Sequence, residues 1–183
     1  KTKTDRSIRT DVLVGAAVPR DAGGLILATE DGFYTLDPTS ERLKFIADPE
    51  SHLPNNRFND GKCDAMGRFW AGTMDRDEQE ISGALYCLEK DMSIRKVLDQ
   101  VGISNGIAWE ADNRTMYYID TPTKKVFAFD FDLESGELSN RRVAVEIPEG
   151  EGFPDGMTID AEGMIWVAHW QGGQVSRWNP RTG

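Results

Sequence analysis

Four short stretches of this sequence share one layout, a polar turn of the form Asp/Glu-x-x-Gly/Asn followed by an aromatic or aliphatic strand. They are Asp21-Ala-Gly-Gly24 before LILAT, Asp64-Ala-Met-Gly67 before RFWAGT, Glu110-Ala-Asp-Asn113 before RTMYYID, and Asp160-Ala-Glu-Gly163 before MIWVAH. A second alternating strand follows each (GFYTLD, GALYCLEK, KVFAFDFD, GQVSRWN), then a turn and a closing strand such as RLKFIAD, SIRKVLD or RRVAVEI. The run before each turn (VGAAVPR, RFNDGKCD, SNGIAWE, PDGMTID) supplies a fourth strand. Four antiparallel strands repeating at a period of about 45 residues predict an all-β chain of propeller blades. A β-sandwich needs no such self-similarity, and helical periodicity is nowhere sustained.

The repeat predicts a single partial propeller over residues 1–183, with blades at about 10–50, 56–99, 102–148 and an incomplete one at 153–183. Propellers close into rings, so the expectation is a segment of a longer protein, whose open blade faces would favour self-association. The formal net charge of −10 argues against a nucleic-acid partner, which would need a surplus of Lys and Arg. The cations near the start (Lys1, Lys3, Arg6, Arg9) are too sparse for a basic arm. The longest apolar run, Val12 to Val18, is too short to cross a bilayer. Two cysteines, Cys63 and Cys87, read as free thiols in a reducing compartment, which points to a cytoplasmic protein.

A second regularity lies five residues before each turn. From Asp64 the step reaches Asn59, from Glu110 Asn105 and from Asp160 Asp155, whereas from Asp21 it reaches only Ala16. Equivalent positions on the innermost strands of a propeller face a common axis. Three oxygen-bearing side chains gathered there suit a hard cation, with water completing its coordination. The absence of Cys and His at the position disfavours a thiolate-type site. The other reading is that these Asn-Gly and Asp-Gly pairs are turn formers.

The stretches NNRFNDGKCDAMGRFWAGTM, GISNGIAWEADNRTMYYIDT, FDFDLESGELSNRR and FPDGMTIDAEGMIWVAHWQGGQVSRWNP resemble the senescence marker protein (regucalcin) and gluconolactonase family. The resemblance implies a six-bladed propeller, with about four blades in this chain, that hydrolyses a sugar lactone around one central divalent metal. Ca²⁺ or Zn²⁺ is the first expectation for that metal, with Mg²⁺ or Mn²⁺ as alternatives. By the same resemblance Asn105 and Asp155 are metal ligands, Asp155 is also the general base, and Arg57 and Asn59 contact the sugar together with an acid after the GTM segment, for which Asp77 is the nearest match, with Asp75 and Glu78 close by. The family carries a further ligand, a Glu near its N-terminus, that nothing in this sequence matches.

Other candidates rank lower. His169 reads as a structural histidine, and Ser104 has no histidine at triad spacing. The turn acids are explained by their turns, and Trp70, Tyr117 and Trp166 by core packing. Two other function classes stay open: an ester or organophosphate hydrolase on the same scaffold, and a non-catalytic calcium-binding or regulatory protein.

Overall fold

The computed structural model describes residues 5–183; Lys1 and Lys3 lie outside the described residues. The chain forms four antiparallel sheets in sequence order. The first holds β1 (Val14–Pro19), β2 (Leu25–Thr29), β3 (Gly32–Asp37) and β4 (Arg42–Ala47). The second holds β5 (Asn56–Cys63), β6 (Phe69–Asp75), β7 (Gly83–Leu88) and β8 (Ile94–Val101). The third holds β9 (Ser104–Trp109), β10 (Thr115–Asp120), β11 (Lys125–Phe131) and β12 (Leu138–Glu146). The fourth holds β13 (Phe153–Ile159), β14 (Ile165–Trp170) and β15 (Gln174–Trp178). Strands within a sheet follow chain order, and the first strands of successive sheets pack together: β1 on β5, β5 on β9, β9 on β13. The arrangement is propeller-like. No helix among the described residues is long and apolar enough to cross a membrane.

Alternation along the strands explains the layering. Side chains of period two leave a strand on opposite faces, and an inner sheet has a neighbouring sheet on each face. On β6, Phe69 and Ala71 join Ile26, Ala28, Phe33 and Phe58 in the core between the first two sheets. Trp70, between them in sequence, enters the next core with Ile107, Met116, Tyr118 and Phe131. A third core sets Tyr117, Ile119 and Val126 against Ile165 and Val167. Strands buried on both faces therefore read as almost continuous apolar runs. Cys63 and Cys87 are unpaired, and burial pushes the Cys87 thiol up to about 12.

The repeated turns show why Gly or Asn closes them. Gly67, Asn113 and Gly163 have positive φ (80°, 57° and 78°), and each donates its backbone N–H to the carbonyl of the turn acid. That left-handed region suits Gly and Asn and excludes most other residues. The acids also reach forward to an aromatic side chain: Asp64 accepts from Trp70 Nε1 (2.9 Å), Glu110 from the Tyr117 hydroxyl (2.7 Å) and Asp160 from Trp166 Nε1 (2.8 Å). Turn and aromatic, read separately in the sequence, form one unit.

In the first sheet the turn sits one residue earlier than its sequence suggests. Gly23 donates to Arg20, and Arg20 to Gly24, so Arg20 occupies the place held by Asp64 in the second sheet. Five residues before Arg20 lies Gly15, which therefore replaces Ala16 as the counterpart of Asn59. A Cβ on Gly15 would meet the Phe58 carbonyl oxygen at 2.6 Å and that of Asn59 at 2.8 Å. The first sheet thus brings bare backbone, without a side chain, against the strand carrying Asn59.

Candidate functional site

Asn59, Asn105 and Asp155 lie inside strands β5, β9 and β13, so the turn-forming reading of their dipeptides does not apply. At each of them the ladder breaks step. Phe58 pairs with Thr73 but Asp60 with Gly72; Ile107 with Tyr118 but Ser104 with Asp120; Met157 with Val167 but Pro154 with His169. Each inner strand carries one residue more than its partner there, which is a β-bulge. The first sheet has its own between Val14 and Ala16. A bulge bends its strand and re-aims a side chain off the ladder, here at the same level in every sheet.

The re-aimed side chains meet in one cleft of 440 Å³, lined by Arg57, Asn59, Asn105 and Asp155 together with Glu78, Thr121, Phe153 and Trp170. Their hydrogen bonds distinguish them. Asn59 is engaged at both ends, its Nδ2 donating to the Ser104 carbonyl (2.9 Å) and its Oδ1 accepting from Arg57 Nη1 (2.9 Å). Asn105, 7% exposed, donates Nδ2 to Thr121 Oγ1 (3.1 Å), while its Oδ1 takes no donor among the described residues. The half-buried Asp155 carboxylate likewise takes no side-chain or backbone donor among the described residues. Two uncommitted oxygen donors thus face the cleft, and the third residue of the set already holds a guanidinium. Beside them, burial pushes the Asp60 carboxyl up, opposed by the Gly61 N–H at 2.7 Å and by Lys62, and reinforced by the charge of Asp155.

Asp77 lies outside this cleft, where its carboxylate accepts from Asn55 Nδ2 at 3.1 Å. The Asp75 carboxylate winds the segment by accepting the N–H groups of Gln79 (2.9 Å) and Glu80 (3.1 Å), the first of which is the largest influence holding its pKa down. In that turn Glu78, at φ 58°, is the acid presented to the cleft. Sequence spacing carries no signal that separates these neighbouring acids. Nothing in the sequence marks Thr121 either, because a hydroxyl in a strand-end TPT segment looks like any turn residue.

The glycines after Asn105 and Asp155 have different duties, and neither has positive φ. A Cβ on Gly106 would stand 2.6 Å from Met157 Cβ and 2.8 Å from the Asp155 carbonyl, so β9 and β13 approach closely only because it is missing. A Cβ on Gly156 would meet nothing within 4 Å among the described residues. Gly106→Ala is therefore expected to lower stability by roughly 1–3 kcal/mol through overpacking, and Gly156→Ala to leave it nearly unchanged. Urea denaturation of both variants checks this, and equal midpoints for the two would contradict it.

A sequence profile described as the SMP-30/Gluconolactonase/LRE-like region matches residues 1–183. The chain belongs to this family. Among its SMP-30/gluconolactonase-like relatives, regucalcin of Danio rerio is 46% identical over 184 residues, covering 100% of this chain and 62% of that protein. The chain therefore spans less than two thirds of that relative's length. Of solved structures, a luciferin-regenerating enzyme superposes with a TM-score of 0.90 at 32% identity, over 95% of this chain and 61% of that one. A structure described as a calcium-binding protein, regucalcin, from Agrobacterium tumefaciens gives a TM-score of 0.84 at 31% identity, over 91% and 56%.

Proposed function

We propose that the full-length protein hydrolyses a sugar lactone at this cleft, with one divalent cation held by Asn105 and Asp155. The observation that carries the reading is the meeting of Arg57, Asn59, Asn105 and Asp155 at one level of three successive sheets. Membership of a family that includes gluconolactonases supports the substrate class. The donor chemistry supports the cation, since an amide oxygen and a carboxylate, both without hydrogen-bond donors among the described residues, suit a hard or borderline ion such as Ca²⁺ or Zn²⁺. The ring would have six blades, to which this chain contributes its four sheets.

When bound, such a cation supplies Lewis-acid polarisation of the lactone carbonyl and charge stabilisation as an oxyanion develops. Asp155, free of competing donors, accepts the proton of the attacking water. Arg57 is held by its bonds to Asn59 Oδ1 and the Phe58 carbonyl (3.0 Å), so its remaining N–H groups are pre-aimed at substrate oxygens. Glu78 takes the place at the cleft that the sequence offered to Asp77, and accepts from ring hydroxyls.

Hydrolysis of a panel of aldonolactones, with and without added Ca²⁺, Zn²⁺, Mn²⁺ or Mg²⁺, tests the proposal. Turnover is expected to vanish on chelation and to return with a cation. Tight cation binding without turnover would favour the calcium-binding reading, to which the similarity to the calcium-binding regucalcin of Agrobacterium tumefaciens lends weight. Turnover of organophosphates or simple esters alone would move the substrate class.

A further inference from the structure

Thr121 opens the short 3-10 turn Thr121–Thr123 at the end of β10 and is 7% exposed. The turn is firmly held, because Thr121 donates its N–H to the Ile103 carbonyl (3.1 Å) and the Asp120 carboxylate takes the N–H groups of Gly102 (3.1 Å) and Ile103 (3.0 Å). A hydroxyl carries one hydrogen and two lone pairs. Thr121 Oγ1 lies 2.8 Å from the Pro154 carbonyl oxygen, which can only accept, so the single hydrogen is committed there. Only lone pairs remain for the Asn105 side chain 3.1 Å away, and the end of the amide that meets them must be the NH₂.

From this polarity we infer that Thr121 is a positioning residue: it sets the Asn105 amide so that Oδ1, and never Nδ2, faces the cleft. An amide nitrogen turned toward a cation would repel it, so the orientation decides whether Asn105 is a ligand at all. The same hydroxyl ties that side chain to the carbonyl of Pro154, the residue before Asp155, and thereby fixes the two oxygen donors relative to each other. The inference rests on the cation reading above.

Isothermal titration of full-length protein with Ca²⁺ and with Zn²⁺ tests it in Thr121→Val, Thr121→Ser, Asn105→Asp and the double variant Asn105→Asp/Thr121→Val. Loss of the hydroxyl in Thr121→Val is expected to weaken cation binding roughly 10–100-fold, the usual cost of removing a group that orients a ligand. Thr121→Ser keeps the hydroxyl and is expected to restore binding to about threefold of wild type. An aspartate at 105 presents oxygen whichever way it turns, so in that background removing the hydroxyl should cost less than about threefold. A purely structural role would cost the same in both backgrounds, and that result overturns the inference, as does wild-type affinity in Thr121→Val.

Should Thr121→Val fail to fold, a crystal structure of cation-loaded wild type decides. Thr121 Oγ1 beyond roughly 3.5 Å from the Asn105 amide, or Nδ2 toward the cation, refutes the assignment. Wild-type protein that binds neither ion sinks the cation reading and this inference together. Wild-type binding with an insensitive Thr121 sinks only the latter.

Discussion

Asp155→Ala is expected to lower kcat on an aldonolactone by at least about 100-fold in the full-length protein, the range for losing a general base. Its carboxylate sits half-buried at a bulge of β13, faces the cleft and is engaged by no donor among the described residues. Nothing structural depends on it, so the variant should fold, and its loss should register in chemistry and not in stability. Asp155→Asn separates the two proposed duties. The amide keeps one oxygen for a cation but cannot take a proton, so cation binding should persist in part while turnover is lost. Steady-state kinetics at saturating cation, with titration calorimetry alongside, distinguish these effects. Turnover of Asp155→Ala within a few-fold of wild type would remove Asp155 from the chemistry.

Asp64→Ala is expected to be the most destabilising single change, by about 3–5 kcal/mol, because it strands a buried charge. The Asp64–Arg68 pair closes at 2.6 Å with side chains 0% and 5% exposed. Asp64 also accepts the N–H groups of Met66 and Arg68 and the indole N–H of Trp70, a residue wholly inside the core between the second and third sheets. Its loss would leave the Arg68 guanidinium with only the Leu133 and Glu134 carbonyls, and Trp70 Nε1 with no acceptor. Asp160 holds the same place in the fourth sheet, with hydrogen bonds to Trp166, Met164 and Glu162 and a bond to Arg177 that keep its carboxyl well below the usual range. In the 183-residue chain taken by itself, however, Arg177 is 37% exposed and water can replace the lost partner. In this chain Asp160→Ala should therefore shift the denaturation midpoint several-fold less than Asp64→Ala. Equal shifts would show that the turn alone, and not the buried charge, sets the cost.

The all-β character and the strand positions were legible because both are local. GFYTLD became β3 in full, and KVFAFDF became β11, since period-two alternation and Gly/Asn turns act over a few residues. The convergence of Asn59, Asn105 and Asp155 was legible as a register, because a repeat converts spacing along the chain into equivalence in space. The first repeat misled by one residue. Asp21 resembles the other turn acids, yet Arg20 makes their backbone bonds, and only hydrogen-bond pairing reveals that Gly15 and not Ala16 is the counterpart.

By itself, then, the sequence determined an all-β chain, its family, and the residues Arg57, Asn59, Asn105 and Asp155 that share one cleft. Tertiary structure alone decided how they differ. The bulges that re-aim them exist only when a strand meets its partner, and the commitment of Asn59 to Arg57, of Asn105 Nδ2 to Thr121, and of Asp75 to the turn that brings Glu78 and not Asp77 to the cleft, are hydrogen bonds between residues 2 to 16 positions apart. A hydrogen bond depends on where donor and acceptor stand in space, and residue type and spacing constrain that only after the sheets have packed.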